Sequence, residues 1–372
     1  MTATQGLEGI VATTSSISSI IDGVLTYRGY DIDDLAVNAS FEEVIYLLWY
    51  GKLPTKQELE QLVAQLNSHS AIPAELIAAM KLYPQGTNSM AALRSAISTL
   101  ALYDPLADDM NADANLLKAI KLQAQLPTVV AAFDRIRNGL EPIAPKADAT
   151  SIAQNFLYML SGQEPDQVAV QAMDQALVLH ADHELNASTF AGRVTVATLS
   201  DIYSGVTSAI GALKGPLHGG ANEAVMAMLE DIGSLDNVDS YIADALANKK
   251  KIMGFGHRVY KNGDPRAKHL QKMSAELGKL TGNMEWYDMS VKIEDLVTGQ
   301  KGLKPNVDFY SASVYTSLGI TRDLFTPIFA ISRVSGWTAH ILEQFANNRL
   351  IRPRADYTGP VNMKYAPIET RA

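Results

Sequence analysis

Apolar side chains recur along this 372-residue chain at the three- and four-residue spacing of amphipathic helices, and seldom with the alternation of strands. Phe41–Tyr50 is apolar-rich and closed by Gly51 and Pro54. Thr55-Lys-Gln-Glu58 then forms a capping box, in which hydroxyl and carboxylate each satisfy an orphan backbone donor. Leu59, Leu62, Val63 and Leu66 follow at helical spacing. Met90–Tyr103 predicts another helix, followed by an acidic loop. Leu116–Arg137 reads as a helix kinked at Pro127 and stopped at Asn138-Gly139. Ser151–Leu160, Gln167–Leu179, Asn222–Leu229, Val238–Ala247 and Ser332–Asn347 are further helices. Ile17–Tyr27, with Asp22-Gly23 between apolar residues, predicts a small hairpin instead. The pattern as a whole predicts a mainly α fold.

At roughly 150 residues per domain, the length implies two or three folding units, or one large domain with an insert. Glycines and prolines suggest where an insert begins and ends. Gly205, Gly211 and Gly215-Pro216 cluster before His218, and Gly319 and Pro327 precede the last long helix. They mark about 217–322 as one unit and the two chain ends as the other. No repeat or low-complexity tract is visible, and the N-terminus lacks the basic and apolar regions of a signal peptide. No apolar run approaches about 18 residues, so no membrane helix is expected.

Hydrophobic residues at 47% and charged residues at 19% argue against disorder. Zero cysteines exclude a disulfide framework, a thiolate metal site and cysteine catalysis, and fit a reducing, cytoplasmic setting. The net charge of −9 argues against nucleic acid as a partner, but it conceals an asymmetry. Lys249–Lys268 holds seven basic residues and one acid, and Lys301–Arg354 seven basic residues and three acids. These two stretches carry +10 and the remainder −19. Cationic islands on an acidic body suggest a local anion site, or simply two solvated basic faces.

Several residues within and beside those islands have the character of a reaction centre. His218 lies in Gly215-Pro-Leu-His218-Gly-Gly-Ala-Asn222, just before a predicted helix. A helix N-terminus lowers a histidine pKa, and a neutral imidazole can donate to a carbonyl or enolate oxygen. The alternative is a turn with an incidental histidine. His257 lies in Met253-Gly-Phe-Gly-His257-Arg-Val-Tyr-Lys261, which lacks the third glycine of a dinucleotide fingerprint. That loop suits phosphate or adenine contact, or is a solvated basic loop. Asp308, in Lys304-Pro-Asn-Val-Asp308-Phe-Tyr310, has an apolar and aromatic setting that would raise its pKa and strengthen it as a base. Otherwise it is a loop aspartate capping a helix that begins at Ser311. His180 and His183, in His180-Ala-Asp-His183-Glu184, admit a zinc site or a structural or substrate-contacting role. Arg266, Arg333 and Arg352 are candidates for carboxylate binding. Arg333, near the start of an apolar helix, needs an anion as partner, from a ligand or a nearby acid.

In this order the motifs resemble the citrate synthase family. The resemblance rests on Arg28-Gly-Tyr-Asp-Ile, His180-Ala-Asp-His-Glu184, Gly215-Pro-Leu-His218-Gly-Gly-Ala-Asn222, Gly254-Phe-Gly-His257-Arg-Val-Tyr, Asp264-Pro-Arg266, Pro305-Asn-Val-Asp308, Ser332-Arg333 and Ile351-Arg352-Pro-Arg354, and spans about residues 8–360. It implies an all-α fold, with a large domain of residues 1–216 plus 323–372 and a small domain of 217–322. It implies condensation of acetyl-CoA with oxaloacetate and hydrolysis of citryl-CoA to citrate and CoA. Asp308 matches the base, His218 the donor to the enol or enolate, and His257 the donor to the oxaloacetate ketone. Arg266, Arg333, Arg352 and His183 match the oxaloacetate contacts, with Arg352 reaching the neighbouring site of a homodimer. Ile252, Met253, Gly254, Phe255, Gly256 and Lys261 match coenzyme A contacts, and Lys304 is a further phosphate contact. The resemblance requires no metal and no redox cofactor, coenzyme A entering only within substrate and product. 2-Methylcitrate synthase, which uses propionyl-CoA, shares all these motifs, and the sequence does not separate the two.

Overall fold

The computed structural model describes residues 5–7, 9–257, 259–260 and 263–371. The expected hairpin is present as β1 (Ser18–Ile21) and β2 (Val24–Tyr27), and a short β3 (Tyr30–Asp31) adds to β2. Both connections are two-residue turns with positive φ at each central residue. Asp22 and Gly23 have φ 52 and 82, and Arg28 and Gly29 have 51 and 88. That geometry matches the twist of an antiparallel pair.

The rest of the ordered framework is helical. First in the chain come α1 (Ile32–Asn38), α2 (Phe41–Tyr50), α3 (Lys56–Ser68), α4 (Ala74–Lys81) and α5 (Ser89–Leu100). Capping boxes start both α2, through Ser40 and Glu43, and α3, through Thr55 and Glu58. Then come α6 (Ala112–Arg137), α7 (Ile152–Ser161), α8 (Gln167–His180), α9 (Ala187–Val196) and α10 (Ile202–Leu213). The next five are α11 (Ala221–Ile232), α12 (Val238–Ala247), α13 (Ala267–Thr281), α14 (Glu285–Lys301) and α15 (Val307–Ser317). The last is α16 (Phe325–Ala346).

Several boundaries differ from expectation. Helix α6 begins at Ala112, capped by Asn111, and continues as one element across Pro127. Helix α16 begins at Phe325 rather than Ser332, with Pro327 inside its first turn. There the missing N–H costs no bond, because first-turn donors have no intrahelical partner. Arg333 is therefore well inside the helix. Gly205 and Gly211, read above as punctuation, lie within α10. A Cβ at Gly205 would fall 2.6 Å from Val196 of α9, so this glycine permits close helix packing.

Every residue of α16 from Phe325 to Ile341 is buried, the signature of a core helix. Around it pack α2, α6, α8, α9 and α10. Helices α11 to α15 pack largely on one another and meet the rest through α13 against α8 and α11 against α16. Among the described residues no helix is long and apolar enough to cross a membrane.

Gly336 lets α16 lie directly on the turn after α8. A Cβ there would stand 2.4 Å from the Ala181 carbonyl oxygen and 2.5 Å from Asp182 Oδ1. Main chain cannot yield as a flexible side chain can. Gly336→Ala should therefore destabilise the fold by about 1–3 kcal/mol. The measure is the urea midpoint, and a midpoint equal to that of the parent protein would show that this contact is not close-packed.

Candidate active site

Helix α8 ends at His180, and the short turn that follows presents His183. The His183 ring lies 5.3 Å from the ring of His257 and edge-on to Tyr260. His183 Nε2 is 3.0 Å from the Tyr260 hydroxyl. Burial drives the His183 pKa well below its usual value, and the charges of Arg266 and Arg333 add to the effect.

His257 has its hydrogen-bond direction set by main chain. Val259 and Tyr260 both donate backbone N–H to its Nδ1, at 3.0 and 3.3 Å. A backbone N–H can only donate, so Nδ1 accepts and the ring proton sits on Nε2. Burial, then Arg266, lower the pKa and keep this ring neutral.

His218 shows the complementary arrangement. The backbone N–H of Ser188 donates to its Nε2 at 3.3 Å, and the Ser188 hydroxyl lies 2.8 Å from the same nitrogen. Ser188 is in the first turn of α9, where N–H groups lack helical partners. The imidazole thus serves one of them, and its proton is left on Nδ1. Burial, then Arg333, push the His218 pKa down to about 4. The neutral ring expected from its place before α11 is therefore reinforced by the start of α9. Ser188 was missed in the sequence because nothing local connects it to a histidine thirty residues away.

Asp308 lies in the first turn of α15, not in a loop before a helix at Ser311. Asn306 caps that helix and accepts the Asp308 N–H at 3.0 Å. Burial raises the carboxyl pKa to about 7, and repulsion from Asp264 adds to it against the pull of Arg266 and Arg333. Those couplings place Asp308 within electrostatic reach of both buried arginines.

The two arginines are held differently. Arg266 makes an internal bidentate pair with Asp264, Nε to Oδ1 at 2.9 Å and Nη2 to Oδ2 at 2.8 Å. Asp264 also accepts the Val307 N–H at 3.1 Å, tying the pair to α15. Burial alone would lower the Arg266 pKa, yet Asp264 carries it upward and keeps the charge in place. One edge of this guanidinium is therefore committed within the chain. The Asp264-Pro-Arg266 spacing was the signal for that clamp. Arg333, only 1% exposed, has no carboxylate partner among the described residues. Its Nε donates to the His180 carbonyl at 2.7 Å, and its guanidinium lies 4.6 Å from the Phe329 ring centre. Burial lowers its pKa to about 10, so it remains charged at neutral pH. Buried Asp182 is the main protein charge opposing it yet makes no ion pair with it, so the guanidinium can still take an anion in direct contact.

The His180 ring, edge-on to Phe329, makes none of the histidine contacts just described. Its Nδ1 is 2.7 Å from the Ala176 carbonyl of its own helix, while its Nε2 is buried without a partner. The two histidines of the conceivable zinc site thus serve different neighbours. Among the described residues no group of three or more His, Cys, Asp or Glu is placed to hold a metal ion.

Residues 252–256 pack against the start of α15, which carries Asp308. Gly254 has φ 81, and a Cβ there would fall 2.7 Å from Phe309 and 2.8 Å from Val225. The loop is stitched to the segment before α15: Gly256 N–H to the Lys304 carbonyl at 3.0 Å, and Asn306 N–H to the Gly254 carbonyl at 2.9 Å. Ile252 and Phe255 are buried and Met253 partly so. Lys304 is exposed beside a cleft of about 230 Å³ bounded also by Gly263, Asp264 and Pro305. Lys261 lies outside the described residues. Arg352 does not join the cluster in a single chain. It sits on the exposed tail after α16, beside a cavity of about 1030 Å³ shared with Arg193, Glu343 and the N-terminal segment.

The family model described as "Citrate synthase, C-terminal domain" matches residues 6–354. "Citrate synthase 2" of Bacillus subtilis (strain 168) is 66% identical, with 100% of each chain covered. "2-Methylcitrate synthase 1" of Corynebacterium glutamicum is 44% identical, with 99% of this chain and 98% of that protein covered. The solved ternary complex of carboxymethyl coenzyme A and oxaloacetate with citrate synthase from Thermoplasma acidophilum has a TM-score of 0.91 at 37% identity, covering 98% of each chain. With its helical fold and a match over nearly its whole length, the chain belongs to the citrate synthase family.

Proposed function

We propose that this protein condenses acetyl-CoA with oxaloacetate and hydrolyses the resulting citryl-CoA to citrate and coenzyme A. The observation that carries this reading is the buried guanidinium of Arg333, which has no carboxylate in contact and whose charge is felt by the Asp308 carboxyl and the His218 ring. Such a guanidinium takes a carboxylate, with a base and a neutral donor among the groups that feel its charge.

Asp308 removes a proton from the thioester methyl group. His218 Nδ1–H donates to the thioester oxygen, where enolate charge develops. The new carbanion attacks the ketone carbon of oxaloacetate. His257 Nε2–H donates to the ketone oxygen as it becomes an alkoxide. Water then cleaves the thioester and releases coenzyme A. Arg333, the free edge of Arg266, and His183 bind the oxaloacetate carboxylates. Residues 252–256, Lys261 and Lys304 bind the coenzyme. Residues 217–322 close over oxaloacetate as a small domain, with 1–216 and 323–372 as the large one. Arg352 reaches the partner's site in a cytoplasmic homodimer, a role suited to a cation on an exposed tail.

Asp308→Asn should lower kcat by about 10²–10⁴-fold while the far-UV circular dichroism is kept. The base must be ionised, and burial raises its pKa to about 7. The kcat/KM for acetyl-CoA should therefore rise as pH increases through about 7. A flat profile from pH 5 to 8, measured where the protein stays folded, would remove Asp308 from that role.

Arg352→Leu and Asp308→Asn should each be impaired, yet a mixture with subunit exchange should recover about a quarter of parental activity through hybrid dimers. Proven exchange without recovery would place Arg352 in its own chain's site or outside the reaction.

One methylene is typically worth about 1–3 kcal/mol in an apolar pocket, so some turnover of propionyl-CoA is compatible with this reading. The kcat/KM for acetyl-CoA should exceed that for propionyl-CoA by about tenfold or more. The reverse preference would make the enzyme a 2-methylcitrate synthase.

A further inference from the structure

Asp182 is a fully buried carboxylate in the turn that carries His183. Its Oδ2 accepts from the Ser18 hydroxyl and lies 3.2 Å from His340 Nε2. Its Oδ1 is buried with no hydrogen-bond partner among the described residues. The main chain here is held separately, because the Tyr27 hydroxyl accepts the Asp182 N–H at 3.2 Å and lies 3.0 Å from the Asp182 carbonyl oxygen.

His340 adds no positive charge to this carboxylate. Arg193 Nη1 is 3.1 Å from His340 Nδ1, and a guanidinium can only donate. Nδ1 therefore accepts, and the single ring proton sits on Nε2, toward Asp182. Burial alone would raise the Asp182 pKa, yet His340, Arg333 and Ser18 hold it below the usual value. A full negative charge thus remains in the core, hydrogen-bonded but not neutralised.

Arg333, Gly336 and His340 share one face of α16, at spacings of three and four residues. Arg333 binds the His180 carbonyl, Gly336 packs on Asp182, and His340 bonds its Oδ2. Asp182 is thereby fixed along the helix beyond Arg333 rather than against its guanidinium, and the two make no ion pair. It is still the main protein charge acting on Arg333.

We infer that Asp182 is a positioning residue for Arg333: held along α16 by Gly336 and His340, it steadies the buried cation before substrate arrives, leaves the guanidinium edge free for a carboxylate, and so limits the affinity for oxaloacetate. This rests on the reaction proposed above. A fixed charge of the substrate's own sign weakens substrate binding, so removing it has two opposite effects. The protein without ligand loses stability, and the dicarboxylate binds more tightly. A side chain that served structure alone would lose binding together with stability.

The test is Asp182→Asn in the full-length protein, which keeps the shape and an acceptor for His340 and Ser18 while removing the charge. Titration calorimetry should give an oxaloacetate Kd about three- to tenfold lower than that of the parent. The KM for oxaloacetate should fall in step, while the urea midpoint without ligand should also fall. A Kd equal to the parent's or higher, in a variant with parental circular dichroism, would overturn the inference. Should Asp182→Asn be unfolded without ligand, saturating oxaloacetate should restore its far-UV circular dichroism, because the substrate then supplies the missing charge. A variant that stays unfolded would overturn the inference equally. The coupling of the two charges is also read with no ligand at all. The losses of unfolding free energy in Asp182→Asn and in Arg333→Gln should sum to more than the loss in the double variant, since each removes the other's partner. Strictly additive losses would overturn the inference. A parent protein that binds no oxaloacetate, yet shows this coupling, would refute the proposed reaction and leave the pairing of Asp182 with Arg333 intact.

Discussion

A positive charge inside the core with no carboxylate in contact with it is the constraint around which this molecule is arranged; the main protein charge opposing it, buried Asp182, makes no ion pair with it. Arg333 is carried by a helix buried along five turns, touches one carbonyl and one aromatic face, and has no carboxylate partner among the described residues. Burying an ion in this way is costly unless a counter-ion arrives. The surrounding groups are tuned against it. His183 and His218, which feel it, and His257 beside His183 have depressed pKa values, so none adds to the charges of Arg333 and Arg266. Asp308, near enough to feel it, is still held back by burial from ionising as readily as a surface aspartate. A dicarboxylate entering this cleft would supply the charge that the protein leaves out.

Hydrogen-bond direction does the remaining work. The acceptor nitrogen of His257 and that of His218 are both chosen by backbone N–H groups, which cannot reverse their polarity. Each ring is left with one proton, on the nitrogen that main chain does not address. Preorganised donors of this kind need no rotation at the moment charge develops.

Much of the fold was legible in the chain. The capping box at Thr55, the hairpin at Asp22-Gly23 and the spans of α2 and α12 follow from local rules, because the interactions that set them lie within a few residues. Gly205 and Gly211 misled because a glycine that permits helix contact looks like one that ends a helix. Pro327 misled because a proline is harmless in a first turn. His218, His257, Asp308 and Arg333 stood out by residue type and setting. Ser188 did not, since its partner His218 is near it only in space, whereas the Asp264-Pro-Arg266 spacing carried a local signal for the clamp. Arg352 stands apart from that cluster, on the exposed tail after α16.

The loop 252–256 and the start of α15 are joined by three hydrogen bonds, from Gly256 N–H, Asn306 N–H and the Asn306 amide to the Gly256 carbonyl. Gly254 is wedged against Phe309, which directly follows Asp308 in the chain. The segment assigned to the coenzyme and the residue assigned as base are therefore one mechanical piece. Nucleotide contacts made far from the reacting carbon can stiffen the seat of the carboxylate that acts on it. A thioester stripped of its nucleotide would forfeit speed at the methyl group as well as affinity, because remote binding free energy would no longer be spent on alignment.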